Sequence, residues 1–183
     1  MDVFLVARPT GKLLSLAAEV QEKLNIRYRL YDQALPPLHL TLLRINPSGK
    51  QDLSAVVTGI KQAADLAPSF KIEARGYLRF GSPHLAVGIA VRRTAALLRL
   101  RTVLAERLGD QVVPVAGGHW RPHITLVSAA FSSNAWGEEG CLAAYHDALA
   151  FPMRAECAVS ELELWYPEYV PKVQVVASFH LMP

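Results

Sequence analysis

The chain has 183 residues, of which 51% are hydrophobic and 19% are charged. This composition predicts a folded globular protein with a sizeable core, and it excludes an intrinsically disordered one. The net charge of +3 permits phosphate binding without identifying a nucleic acid as the partner. No apolar run approaches the roughly 20 residues of a membrane span, and the amino terminus lacks a secretory pattern. We therefore expect a cytoplasmic protein with no membrane partner.

The first half of the chain predicts two strands that alternate with two helices. The pattern of apolar residues gives a strand over 3–7, a helix over 13–24, a strand from 39 and a helix over 53–64. Thr10 is a suitable cap for the first helix. Pro36 and Pro37 require extended backbone just before the second strand.

The second half predicts more strands but a similar alternation. It gives strands over 70–80 and 84–91, a helix capped by Thr94 and ended by Gly109, a brief strand over 112–115, a strand containing 123–126, a weaker helix around 142–149, and strands over 155–166 and 173–181 joined by a loop over 167–171. Because the two halves have a similar order of elements, we infer a quasi-repeat of two α+β lobes that face each other.

One tetrapeptide pattern occurs in both halves. HLTL begins at His39, and HITL begins at His123. Alternate side chains of a strand point to opposite faces, so each His shares a face with its Thr while the apolar pair takes the other face. With six His and six Thr in the chain, about 0.2 His-x-Thr pairs are expected by chance. A single pair is most often a hydrogen-bonded strand histidine, whereas the duplication indicates a shared function.

Each such His–Thr pair is called a dyad here. Two dyads across a cleft have the groups that phosphodiester cleavage needs. One imidazole can deprotonate the attacking oxygen while the other protonates the departing one, on opposite sides of phosphorus. An ordinary pKa near 6.5 allows one ring to be neutral and the other charged. The hydroxyls of Thr41 and Thr125 can donate hydrogen bonds to the non-bridging oxygens. This chemistry requires no metal and no other cofactor.

At these dyads the chain resembles the two-histidine (2H) phosphoesterase superfamily, and within it the bacterial 2′-5′ RNA ligase and cyclic phosphodiesterase group. The resemblance extends to the first strand DVFLVARP, to Arg121 and Pro122 before the second dyad, and to the closing segments VSELELWYP and VQVVASFHLMP. It implies an α+β fold of two quasi-symmetric lobes, whose antiparallel-rich sheets face a central cleft with helices outside. We expect residues 1–183 to form a single domain in which the two lobes are intertwined.

The resemblance also implies a function. It implies hydrolysis of a 2′,3′-cyclic or related 2′-5′ phosphodiester of an RNA end or nucleotide, with His123 as the base, His39 as the acid and a 2′-phosphate as the product. With a ribose hydroxyl as nucleophile, the reverse reaction forms a 2′-5′ linkage. Two alternatives stay open: a module that binds nucleotides or RNA ends without turnover, and a structural protein with incidental dyads. No RNA-recognition signature selects among substrates, and no obligatory protein partner is implied.

Three further residues are candidates for contact with substrate. Arg121 and His119 have the same parity as His123, so both would face the cleft if the strand were regular. Tyr169, in the last loop, could stack on a base. Each also has a plainer interpretation: a solvated cation for Arg121, a surface histidine for His119, and a loop aromatic packed on its own protein for Tyr169.

The sequence departs from the family pattern in the positive charge that would meet the phosphate. Many family members carry an arginine just after the second motif, where Val127 and Ser128 stand in this chain. Arg44 follows the first motif, but it is out of phase with Thr41 unless a bulge intervenes, and we interpret it as structural.

The sequence argues against a metal site. His119 and His123 have the spacing of a helical zinc site, but Pro122 argues against a helix there. Cys141 and Cys157 have neither disulfide nor thiolate-metal spacing, and we predict that both are buried in the core.

Overall fold

A computed structural model describes residues 1–47, 50–115, 118–130, 132–167 and 173–183. Within these ranges the chain forms eight strands and four α-helices. In chain order they are β1 (Val3–Ala7), α1 (Gly11–Tyr28), β2 (Leu40–Ile45), α2 (Lys50–Ala64), β3 (Phe70–Phe80), β4 (Ala86–Val91), α3 (Ala95–Leu108), β5 (His123–Ser128), α4 (Glu138–Ala148), β6 (Glu156–Val159), β7 (Glu161–Trp165) and β8 (Val175–His180). No helix in this part of the chain is both long and apolar enough to cross a membrane.

The strands form one antiparallel sheet with the order β6-β3-β4-β5-β2-β1-β7-β8. The two strands that carry the dyads, β2 and β5, lie at its centre. From this centre the order outward is β2, β1, β7 and β8 on one side, and β5, β4, β3 and β6 on the other. The sheet therefore has quasi-two-fold symmetry, which confirms the predicted α+β fold of two similar lobes.

The two halves of the sheet meet at one backbone pair. Leu40 lies opposite Ile124, and no other pair joins β2 to β5 within the described ranges. Both side chains are fully buried and belong to the hydrophobic core, together with the apolar faces of helices α1 and α3. The dyads therefore flank the narrowest connection between the two lobes.

Each dyad strand contains a bulge at the residue after its threonine. Between β1 and β2 the pairing shifts so that Leu42 has no partner on β1. Between β4 and β5 the equivalent residue, Leu126, has no partner on β4. A bulge inserts one extra residue and reverses the facing of the residues that follow. Two quasi-equivalent bulges therefore repeat the same distortion in both lobes.

The closing part of the chain differs from its prediction. The single strand predicted over 155–166 is divided at Ser160 into β6, which pairs with β3, and β7, which pairs with β1. These strands lie in opposite halves of the sheet, so the backbone must break between them, although the apolar alternation in the sequence continues. The brief strand predicted over 112–115 is also wrong, because only Val112 forms an isolated bridge.

The predicted helices are confirmed, with differences at their ends. The Thr94 hydroxyl accepts a hydrogen bond from the Leu97 amide at 3.3 Å, as expected of a cap. Thr10 precedes α1 in extended conformation, but its side chain makes no capping bond. Cys141 and Cys157 are both buried, as predicted.

Candidate active site

The four dyad residues lie around the pair that joins the lobes. Continuing the antiparallel register of that pair by one residue in each direction places His39 opposite Thr125 and Thr41 opposite His123. All four side chains are partly exposed, whereas the two paired residues between them are fully buried. The dyads therefore share one face of the sheet, on either side of the Leu40–Ile124 pair.

Each imidazole is oriented by the backbone that precedes it. Nδ1 of His39 lies 2.7 Å from the carbonyl oxygen of Pro37, and Nδ1 of His123 lies 2.6 Å from that of Arg121. A carbonyl oxygen only accepts hydrogen bonds, so Nδ1 carries the proton and donates it in both rings. In the neutral form Nε2 is then the unprotonated nitrogen, which is the atom able to accept a proton.

An aromatic ring packs against each imidazole. The centroids of Trp165 and His39 are 4.9 Å apart at an interplanar angle of 58°, and those of Phe80 and His123 are 4.6 Å apart at 56°. Both aromatic residues stand on the third strand outward from the centre of the sheet. These rings limit the rotation of the imidazoles and exclude water from one side of each.

The pKa values of both histidines are below the ordinary value, chiefly because burial disfavours the charged ring. The hydrogen bond to the backbone carbonyl opposes this effect in each case. The charges of His123 and Arg8 lower the pKa of His39 further, and the charge of Arg121 does the same for His123. Burial therefore favours the neutral form of both imidazoles while no anion is bound.

Arg121 lies beside the second dyad, although it precedes β5 instead of belonging to it. Its guanidinium carbon is 5.1 Å from the centroid of the Phe80 ring, against which His123 also packs. No carboxylate of the described ranges forms an ion pair with it. Arg121 therefore carries a positive charge close to His123. Because no described carboxylate pairs with this charge, the guanidinium is available to bind an anion.

Arg44 differs from Arg121 in this respect. The bulge at Leu42 does intervene, so Arg44 stands opposite Phe4 and on the same face as Thr41. Its guanidinium forms an ion pair with Asp2, which agrees with the structural interpretation of this residue.

Of the other two candidates, only His119 is among the described residues. His119 is exposed and lies outside β5, and residues 119–122 are not helical, so it lacks the helical geometry that a zinc pair with His123 would need. Within the described ranges, no three side chains of His, Cys, Asp or Glu are grouped as metal ligands. Tyr169 lies outside the described residues.

The sequence did not identify a second cationic group in this region. Arg8 follows β1 directly, and its Nη1 is 3.8 Å from Oε1 of Glu163 on β7. The other oxygen of Glu163 accepts a hydrogen bond of 2.6 Å from the Trp165 indole. Arg8, Glu163 and Trp165 therefore form a chain of contacts that connects His39 to strand β7. The position of Arg8 at the end of a buried strand was the only signal in the sequence.

Comparison with known proteins gives the family. The chain matches the model of the 2′-5′ RNA ligase superfamily over residues 14–169. No curated protein sequence matches it.

Several solved structures share the fold. TT0787 of Thermus thermophilus has 23% identity and a TM-score of 0.71, with 99% of this chain and 98% of that chain covered. E. coli LigT in its apo form has 14% identity and a TM-score of 0.67, with 100% and 98% covered. Usb1 of Kluyveromyces marxianus has 13% identity and a TM-score of 0.52, with 96% and 97% covered. The family match extends over most of the chain, and the eight-stranded sheet agrees with these structures. The chain therefore belongs to the 2′-5′ RNA ligase superfamily of two-histidine phosphoesterases.

Proposed function

We propose that this chain is a metal-independent phosphodiesterase that opens a 2′,3′-cyclic phosphate, or a related 2′-5′ phosphodiester, at an RNA end or on a nucleotide. The crosswise arrangement of the two dyads supports this most directly. Two imidazoles and two hydroxyls flank one point of the sheet, and each imidazole has its Nδ1 held by a backbone carbonyl. Such a site combines proton transfer with anion binding.

In the proposed reaction, Nε2 of His123 takes a proton from water as the water oxygen attacks phosphorus. The bond from phosphorus to the 3′ oxygen breaks on the opposite side, and His39 supplies the proton that this oxygen takes up. The product then carries a 2′-phosphate. The hydroxyls of Thr41 and Thr125 donate hydrogen bonds to the non-bridging oxygens, on which negative charge is concentrated.

The electrostatics of the site support a protonation of His39 that depends on a bound anion. His39 must carry a proton to act as the acid, yet its pKa is lowered by burial. A phosphodiester brings negative charge to the ring and raises that pKa, because an opposite charge favours the protonated form. Arg121 adds fixed positive charge that attracts the substrate. Binding of the anion would therefore create the protonation state that catalysis needs.

The nucleotide part of the proposal rests on relatives. Structures of E. coli LigT are described as complexes with 3′-AMP, ATP and NADP+. All three ligands carry a phosphate on a ribose, which supports a nucleotide or RNA end as the ligand of this chain. The reverse reaction, a 2′-5′ RNA ligase activity, would use the same four residues. A module that binds such ends without turnover is the alternative.

One panel of substrates tests these proposals. The protein is assayed in EDTA with 2′,3′-cyclic mononucleotides, an RNA oligonucleotide ending in a cyclic phosphate, and a 2′-5′ dinucleotide, and the 2′- and 3′-phosphate products are separated. We expect turnover to continue in EDTA and to give the 2′-phosphate. Activity that is lost in EDTA and returns with a divalent ion would contradict the mechanism. Tight nucleotide binding without any turnover would favour the binding module.

A further inference from the structure

Gln21 is an unusual residue for its position. It lies on the apolar face of α1 with 3% of its surface exposed, and it is the only buried polar residue in the described part of the chain. Its Nε2 donates hydrogen bonds of 2.9 Å to the carbonyl oxygens of Pro36 and Leu126. Pro36 is three residues before His39, and Leu126 is three residues after His123. One amide group therefore holds segments of both dyads.

Arg101 makes the corresponding contacts from helix α3. Its Nε donates a hydrogen bond of 3.2 Å to the carbonyl oxygen of Leu42, and its guanidinium lies 4.8 Å from the centroid of the Trp120 ring. Leu42 is three residues after His39, and Trp120 is three residues before His123. The offsets are those of Gln21 with the two dyads exchanged.

These contacts satisfy a need that the bulges create. Leu42 and Leu126 are the residues that the bulges leave without a partner on β1 and β4. A buried carbonyl oxygen without a donor is costly, and the diverging strands offer none across the centre of the sheet. In each case the donor comes instead from a helix: α1, which packs against β5, supplies Gln21, and α3, which packs against β2, supplies Arg101. The second contact of each residue, to Pro36 or to Trp120, reaches the segment that leads into the dyad of the other lobe.

We propose that Gln21 and Arg101 are positioning residues that fix the two dyads relative to each other. A single backbone pair joins β2 to β5 in the described ranges, so the sheet pairing alone does little to fix one dyad strand relative to the other. The contacts that each residue makes to both dyad segments are called its link. The Gln21 link lies on the side of the Leu40–Ile124 pair that holds His39 and Thr125. The Arg101 link lies on the other side, with Thr41 and His123. Together they oppose rotation in both directions.

The catalytic consequence rests on the proposed function. In-line displacement requires the acid and the base on opposite sides of phosphorus, and a misplacement of about 1 Å can cost about a hundredfold in rate. The links do not touch the phosphate site directly, so their loss should lower kcat more than it raises KM.

The first test compares variants that cut the links with variants that only weaken the core. Gln21→Leu and Arg101→Leu remove the donors, whereas Val20→Ala and Leu100→Ala remove buried methyl groups beside them. At a temperature where all four variants are folded, we expect kcat to fall at least tenfold in the first pair, with KM changing less than threefold, and to stay within threefold of wild type in the second. Arg101→Gln should recover part of the activity, because glutamine is the donor in the other lobe. Equal losses in both pairs would overturn the proposal.

A second measurement does not depend on turnover. NMR titration of the imidazole Hε1 protons reports how strongly His39 and His123 influence each other in the substrate-free protein. In the wild type we expect two coupled titrations, and in the Gln21→Leu/Arg101→Leu double variant we expect curves closer to independent ones. Titrations identical to wild type would overturn the positioning role. If the wild type cleaved no substrate, the proposed function would fail, and this titration alone would decide the present inference.

Discussion

Gly88 and Ile124 approach so closely that a Cβ atom on Gly88 would lie 2.8 Å from the carbonyl oxygen of Ile124. Gly88 pairs with Thr125 of the second dyad at the point where the β4–β5 register shifts. Since Ile124 also pairs with Leu40, any displacement of β5 here is passed to the junction between the lobes. Glycine is required at this position for close approach of two backbones.

We therefore expect Gly88→Ala to damage both stability and activity. Overpacking at a buried site costs about 1 to 3 kcal/mol, and the shift of β5 should lower kcat at least tenfold. Urea denaturation and steady-state kinetics measure the two effects. Gly140→Ala in α4 is the matched control, because a Cβ there meets no atom within 4 Å and a helical alanine stabilises by up to about 1 kcal/mol. A Gly88→Ala protein with wild-type kinetics would mean that β5 tolerates the shift.

The two histidines should give separate limbs of a bell-shaped pH profile. The acidic limb of kcat/KM reports the base, and the basic limb reports the acid. Because burial lowers both pKa values, we expect the maximum of kcat/KM below about pH 6.5. The kcat profile should lie at higher pH, since bound phosphate raises the pKa of the acid.

Substitution tests this assignment. His39→Ala should remove the basic limb and His123→Ala the acidic one, each with a loss of at least about a hundredfold. The double variant should lose far less than the product of the single losses, because the two groups act as a unit. Interchanged limbs would reverse the roles of acid and base. Near-normal turnover in both single variants would remove the dyads from the mechanism.

The threonines should contribute binding energy without proton transfer. Thr41→Val and Thr125→Val keep the branched shape and remove the hydroxyl. We expect each to cost about 1.5 to 3 kcal/mol in kcat/KM, the range for a hydrogen bond to a charged group. Neither limb of the pH profile should move, and a shift of either limb would indicate that the hydroxyl acts on an imidazole.

Arg121 should supply charge to the phosphate, and Arg44 should not. Arg121→Gln is expected to raise KM about tenfold or more, the scale of a lost charge-assisted hydrogen bond, and to weaken the salt dependence of KM. Arg44→Gln is the control, since its guanidinium is already paired with Asp2. If the two substitutions raised KM equally, the net positive charge of the protein, and not a specific contact of Arg121, would attract the substrate.

The sequence predicted the elements that depend on local patterns. Alternation in the two tetrapeptides gave the dyad faces, and helical spacing gave the helices. The bulges at Leu42 and Leu126 could not be predicted, because a bulge exists only relative to the register of a partner strand. The break at Ser160 was missed for a similar reason, since the apolar alternation runs through it unchanged.

The residues that support the site were harder to predict than the dyads. Trp165 reaches His39 only because β7 pairs with β1, and this pairing joins distant parts of the chain. Gln21 lies among the apolar residues of a helix, where spacing alone predicts a solvent-facing or tolerated polar side chain. Its two acceptors are backbone carbonyl oxygens. Every residue has one, so the sequence does not indicate which of them accept these hydrogen bonds.

The pairing of the late strand β7 with the first strand also determines when the site can be assembled during synthesis. Strand β1 leaves the ribosome early, but its outer neighbour β7 is translated only after all the strands from β2 to β6. A nascent chain that ends before residue 161 contains His39 and His123, but it does not yet contain Glu163 and Trp165. Such a chain has His39 on a lobe without its outer strands. We therefore expect chains that end before residue 161 to hold His39 without the Trp165 ring that packs against it, so that this half of the site is completed late in synthesis.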